Sequence, residues 1–266
     1  MFNKFVINID TDINIKTDTN IKTNTNLFNE LSTSIIFETI AKGRQCATLV
    51  NCKNNCIPIV RTTSCYNNPA QKFLPIHYNI MDHIRKKFKK NIVFNNASVE
   101  IYNADYRNMK FHTDQSLDLK EDSVICLFSC YENESSNSAD IRKLQIKNKT
   151  TEQCSEISLD NNSIVLFTTS ANHQHLHKIV LELSRSNKSN KSTNKWLGIT
   201  FRLSKTFVQF FHDIPYIYPS NTVLRIATDN EKSDFFKHKG NENLSTSYTY
   251  PEIDYTISKS DTLPVS

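Results

Sequence analysis

The stretch Phe94-Asn-Asn-Ala-Ser-Val-Glu-Ile-Tyr-Asn-Ala-Asp-Tyr-Arg-Asn-Met-Lys-Phe-His-Thr-Asp-Gln115 decides how the chain is read. It contains a short apolar segment, Ser98–Tyr102, and ends on His112 and Asp114, which stand two apart. On an extended backbone both of these side chains emerge on the same face. An imidazole and a carboxylate presented together can take two adjacent positions on a divalent metal. Further short apolar segments follow at Ser123–Ser129, Arg142–Ile146, Ser163–Thr168, His177–Glu182 and Trp196–Leu203, separated by polar connectors. Few of the gaps carry a helical pattern, so the spacing predicts an antiparallel sandwich or barrel rather than a parallel sheet. Before this region the period is helical. Leu27 to Lys42 places Leu27, Leu31, Ile35, Ile36 and Ile40 on one stripe. From about Pro75 to Lys90, Ile76, Ile80, Ile84 and Phe88 recur every four residues, with Pro75 in the first turn. Between the two helices, Pro58 to Pro75 reads as extended and loop-like.

The chain has 266 residues, of which 38% are hydrophobic and 10% aromatic, enough for one core with appendages. Three glycines in the whole chain argue against a nucleotide site built on glycine-rich turns. The net charge of +5 permits a polyanionic partner without demanding one. The opening residues lack the apolar stretch of a signal peptide, and no run reaches the ~18 residues of a membrane span. The chain is therefore read as intracellular, cytoplasmic or nuclear, not secreted and without a membrane partner. Seven cysteines, an odd number, fit reduced thiols. Four of them, Cys46, Cys52, Cys56 and Cys65, lack the paired spacing of structural zinc sites, and Cys126 and Cys130 read as small buried hydrophobes.

A third metal ligand is expected on a later strand. Ser170-Ala-Asn-His-Gln-His-Leu-His-Lys-Ile-Val180 offers His173, His175 and His177. His177 is chosen because it opens an apolar run, while His175 stays the alternative. Two histidines and one carboxylate on one face of a metal, with the other positions open, are the donor set of non-haem Fe(II) oxygenases. Arg202, in Trp196-Leu-Gly-Ile-Thr-Phe-Arg202, has a guanidinium suited to gripping a dicarboxylate through two bonds.

In that order, over roughly residues 55–208, the chain resembles the AlkB-like branch of the 2-oxoglutarate- and Fe(II)-dependent dioxygenases. Phe94 to Asp114 matches the pattern F-N-x(6)-Y-x(9)-H-x-D without a gap, and Gly198-Ile-Thr-Phe-Arg202 resembles the end of R-x-N-L-T-F-R. The resemblance implies a double-stranded β-helix, a jelly-roll variant that is mainly β with flanking helices. It implies His112, Asp114 and His177 as Fe(II) ligands, and Tyr102, Thr200 and Arg202 as contacts of 2-oxoglutarate, with O2 as the second cosubstrate. It further implies oxidative dealkylation, in which 2-oxoglutarate becomes succinate and CO2 and an N-methyl group leaves as formaldehyde. Trp196 stands where the family has its first signature arginine, Gly198 where it has asparagine, and Glu100 where it has another asparagine. The dicarboxylate grip then falls to Arg202, with Lys195 or Lys178 assisting.

The segment Pro58-Ile-Val-Arg61 through Tyr66 resembles the part of such enzymes that covers a flipped base. Arg61 is the candidate for a phosphate and Tyr66 for stacking on the base. The basic run His83 to Asn91 reads as a solvated helix face, with phosphate binding as the alternative. The expected organisation is a polar extension over 1–26, a dioxygenase domain over 27–208, and an extension over 209–266 that wraps the domain or forms an annex. The expected partner is single-stranded or damaged DNA or RNA. The alternatives are hydroxylation of a protein side chain and a non-catalytic binding module on the same fold.

Overall fold

The computed structural model describes residues 27–88, 91–133, 141–181 and 194–266. The polar extension 1–26, most of the basic loop 184–195, and Lys89 and Lys90 lie outside the described residues. The structure is mainly β, with several antiparallel sheets and four helices among the described residues.

Helix α1 (Leu27–Ser34) leads through β1 (Glu38–Ala41) and β2 (Arg44–Val50) to β3 (Ile57–Ile59), β4 (Gln71–Lys72), α2 (Pro75–Phe88) and β5 (Asn96–Tyr102). The middle of the chain forms β6 (Val124–Tyr131), β7 (Lys143–Asn148), β8 (Cys154–Ser158), β9 (Ser163–Thr168), the short α3 (Thr169–Gln174), β10 (His175–Val180) and β11 (Trp196–Arg202). The last part forms β12 (Thr206–Phe211), β13 (Ile214–Tyr218), β14 (Thr222–Val223), β15 (Arg225–Ile226), α4 (Asp229–Leu244) and β16 (Tyr255–Thr256).

The helical stripe expected to run to Lys42 stops at Ser34. The hydroxyls of Ser32, Thr33 and Ser34 donate back to carbonyls within α1, competing with its own ladder. Ile36 is then captured in extended form by Gln71, whose side chain accepts from its N–H and donates to its carbonyl. Gly43, at φ +74°, turns the chain between β1 and β2, a conformation that suits a residue without a side chain.

The main sheet runs β1-β2-β5-β11-β6-β9, with β4 added beside β2. Alternation along its strands sends two sets of side chains to opposite faces. Ala47, Leu49, Ala97, Val99, Ile101, Cys126, Phe128, Leu197, Ile199 and Phe201 pack with Phe28 and Leu31 of α1 and Ile80, Met81 and Ile84 of α2. On the other face, Tyr102, Leu127, Tyr131, Val165 and Trp196 meet Leu144, Ile146, Ile157 and Ile179 of the three-stranded sheet β10-β7-β8. The order is thus helices, main sheet, small sheet, and the basic end of α2 belongs to the layer away from the small sheet.

A boundary after residue 208 falls inside β12, which pairs with both β3 and β13. The segment beyond it is fastened by Arg61, which is buried against Asp118 at 2.7 Å and also donates to the carbonyls of Ile253 and Tyr255. All seven cysteines are free, and no described helix is long and apolar enough to cross a membrane.

Candidate metal centre

His112 and His177 face each other across an antiparallel bridge. Each donates its backbone N–H to the other's carbonyl, at 3.0 and 2.7 Å. Directly opposed residues of this kind bring their side chains to the same face, and the two imidazole centroids are 4.6 Å apart. Asp114, two residues after His112, turns its carboxylate toward the same point, with Oδ1 3.6 Å from His177 Nε2. One ligand atom from each of the three lies within 4.8 Å of the others. His175, the alternative ligand, is occupied elsewhere: its Nδ1 bonds the Ala171 carbonyl and its Nε2 lies against Asn148.

The surroundings hold His112 and Asp114 in the forms a metal needs. His112 Nδ1 lies 3.0 Å from the Lys110 carbonyl, which can only accept. The ring hydrogen therefore sits on Nδ1 and the lone pair of Nε2 is left for an ion. Burial, and then the neighbouring His177, pushes the pKa of His112 down to about 3, so the ring is neutral. Burial alone would raise the pKa of Asp114, but Arg202, whose Nε donates to Oδ2 at 2.9 Å, and His177 hold it well below the usual range. Asn172, at the end of α3, accepts the Asp114 N–H and donates to its carbonyl, fixing the backbone from which the carboxylate projects. From the other side Asn243 of α4 accepts the Thr113 N–H, and Lys239 donates to the Thr113 carbonyl while pairing with Glu242.

The triad opens onto a cavity of about 460 Å³ between the main sheet, the loop after β3 and α4. Register explains what lines it. Glu100 of β5 lies opposite Gly198 and Cys46, Ser98 lies opposite Thr200, and Asn96 lies opposite Arg202. Arg202, Thr200 and Tyr66 line the cavity. Gln115 lines it too, and neither end of its buried amide has a hydrogen-bond partner. Orphaned polar atoms of this kind are uncommon in folded proteins and mark a place where a polar ligand can complete the bonding.

Two sequence expectations are corrected. Tyr102, expected against the cosubstrate, is fully buried behind the cavity wall. It packs on Trp196 and Tyr106, and its hydroxyl is spent on Glu100 Oε2 at 2.5 Å. Arg61, expected at a phosphate, is committed to Asp118 and the C-terminal carbonyls and does not line the cavity. Sequence reasoning missed Arg44, whose Nη2 lies 2.5 Å from Glu100 Oε1, and the α4 residues Phe236, Lys239 and Asn243. The α4 residues had a local signal: Thr228 and Glu231 form a capping box that announces a helix.

No protein-family model matches the sequence, and no curated protein matches it. The functional reading rests on the residues themselves.

Proposed function

We propose that the chain is an Fe(II)- and 2-oxoglutarate-dependent dioxygenase of AlkB-like type on a double-stranded β-helix, acting by oxidative dealkylation of nucleic-acid bases. The observation that carries this reading is the convergence of His112, Asp114 and His177 on one point at a cavity. Two imidazoles and one carboxylate on neighbouring extended segments can hold Fe(II) on one face and leave the other open. With O2, the iron and 2-oxoglutarate supply an oxidation that yields succinate, CO2 and a hydroxylated substrate carbon, which on an N-methyl group departs as formaldehyde.

The protein's own residues do the positioning. Arg202 occupies Asp114 Oδ2 and so leaves Oδ1 for the ion, while Asn172 and the Lys110 carbonyl fix the directions of Asp114 and His112. Charge supports a dianionic cosubstrate. Arg44 is balanced by Glu100, Arg202 by Asp114 and Lys239 by Glu242. A divalent ion therefore adds two positive charges beside these three balanced pairs, and a dicarboxylate offsets them. Tyr106, Met109, Phe111 and the half-exposed Phe236 give the cavity apolar lining, and the exposed Lys110 lines it too. That combination suits a base lifted from a strand with its phosphate alongside. The basic end of α2 packs behind the main sheet and takes no part in this reading.

Succinate release by purified protein with Fe(II), ascorbate and 2-oxoglutarate tests the proposal. The expected result is a rate raised by N-methylated single-stranded oligonucleotides over unmodified ones, abolished in His177→Ala, with strand affinity falling as salt rises. A His177-dependent rate indifferent to the oligonucleotides would move the substrate to proteins. Absence of succinate above the variant's level would leave a binding module.

A further inference from the structure

The second carboxylate of a dicarboxylic 2-oxo acid needs a cation at the end of the cavity away from the metal. Trp196 offers none: it is buried outside the cavity lining, lying across its own strand so that a Cβ on Gly198 would overlap the indole. Among the cations lining the cavity, Arg202 is at the metal end on Asp114, Lys239 is pinned to Thr113 and Glu242, and Lys110 is exposed. Arg44 remains. It projects from β2, where it lies opposite Tyr102, and reaches back to Glu100.

We propose that Arg44, braced by Glu100, seats the second carboxylate of the 2-oxo acid in this cavity. The inference rests on the dioxygenase reading and names the binding group that reading lacks. Glu100 is four residues along β5 from Asn96, the partner of Arg202, an offset of about 13 Å. A five-carbon diacid spans about 5 Å. A metal–oxygen bond of about 2 Å at one end and a hydrogen bond of about 2.9 Å at the other extend its reach to about 10 Å, and the length of an arginine side chain exceeds the remaining ~3 Å of that backbone offset. Arg44 Nε and Nη2 bond Glu100 Oε1, and Nη2 also reaches Ser64. A guanidinium has five N–H donors; with Nε and Nη2 engaged by Glu100 and Ser64, the Nη1 side is the one that can meet a ligand carboxylate. Glu100 then has a defined part. It fixes the direction of Arg44 and cancels its charge while the cavity is empty. Ser64, which accepts from Arg44, lines the cavity, as do the hydroxyl-bearing Tyr66 and Ser98.

The test is calorimetric titration of Mn(II)-loaded protein, without turnover, with 2-oxoglutarate and with pyruvate, which lacks the second carboxylate. Arg44→Met alone strands a buried carboxylate, so the informative variant is Arg44→Met/Glu100→Gln, with Arg44→Lys as the conservative partner. Wild type should favour 2-oxoglutarate over pyruvate by about ten- to a hundredfold, as a charge-assisted grip implies. The double variant should lose that preference while keeping its Mn(II) affinity, and Arg44→Lys should keep part of the preference. A double variant that retains the wild-type preference overturns the assignment and leaves the dioxygenase reading standing. Wild-type protein that binds Mn(II) but neither acid overturns both.

Discussion

Imidazoles play two different parts in this chain, and their partners tell them apart. His112 gives its Nδ1 hydrogen to a carbonyl and keeps Nε2 open toward Asp114 and His177. His77, fully buried in α2, does the reverse: its Nδ1 accepts the Leu74 N–H, and its Nε2 has no partner. Burial pushes the pKa of His77 down from 6.5 to about 4. The unfolded chain therefore takes up this proton first as pH falls. The stabilisation is complete above about pH 6.5, declines below it, and is exhausted near pH 4. Within that window His77 should steepen the fall of unfolding free energy by up to about 1.4 kcal/mol per pH unit. Urea melts of wild type and His77→Gln between pH 7.5 and 4 should show the shallower acid limb in the variant. Equal slopes would refute the assignment. His112 and Asp114 were legible in the sequence as a pair because the parity of H-x-D fixes a shared face locally. Asn172, Arg44 and Gln115 were not, because their roles depend on which distant strands meet.

At the scale of elements, Trp196 and Gly198 of β11 form one packing unit. Trp196 is almost wholly buried and covers Gly198, so the large residue requires the small one beside it. Gly198→Ala should force the indole out of its place and cost about 1–3 kcal/mol, the range for overpacking a filled core. Thermal or urea unfolding measures this, and the fluorescence of Trp196, the only tryptophan in the chain, should change with it. An unchanged midpoint would contradict the packing account. The strands were readable where burial imposes alternation: Ser163–Thr168 is observed with the bounds the sequence predicts, and β5, β6, β7 and β11 are displaced by no more than two residues at either end. The first helix was overread because its apolar spacing continues into residues that tertiary contacts draw into extended form. The β12–β13 hairpin was missed because its turn is His212-Asp213, both at positive φ, in place of the Asn-Gly pair that usually announces such a turn.

At the scale of the whole molecule, the C-terminal segment is part of the site. Lys239, Glu242 and Asn243 of α4 hold Thr113 and Ser116 on both sides of Asp114, while Arg61 and Asp118 bind the segment's later residues to the body. Asp118→Ala leaves the Arg61 guanidinium buried without its counterion and should cost about 3–5 kcal/mol in urea unfolding. Arg61→Met/Asp118→Leu should recover much of that loss, since no charge is then stranded. Composition gave no sign of this arrangement, because a polar tail reads the same whether it hangs free or closes a cavity. The central claim is that the three ligands form one metal site. The direct measurement is anaerobic calorimetric titration of Fe(II) into wild type, His112→Ala, Asp114→Ala and His177→Ala. The account predicts one tight ion per wild-type chain and loss of tight binding in each variant. A wild-type chain without a tight site, or a tight site indifferent to these three residues, would contradict it.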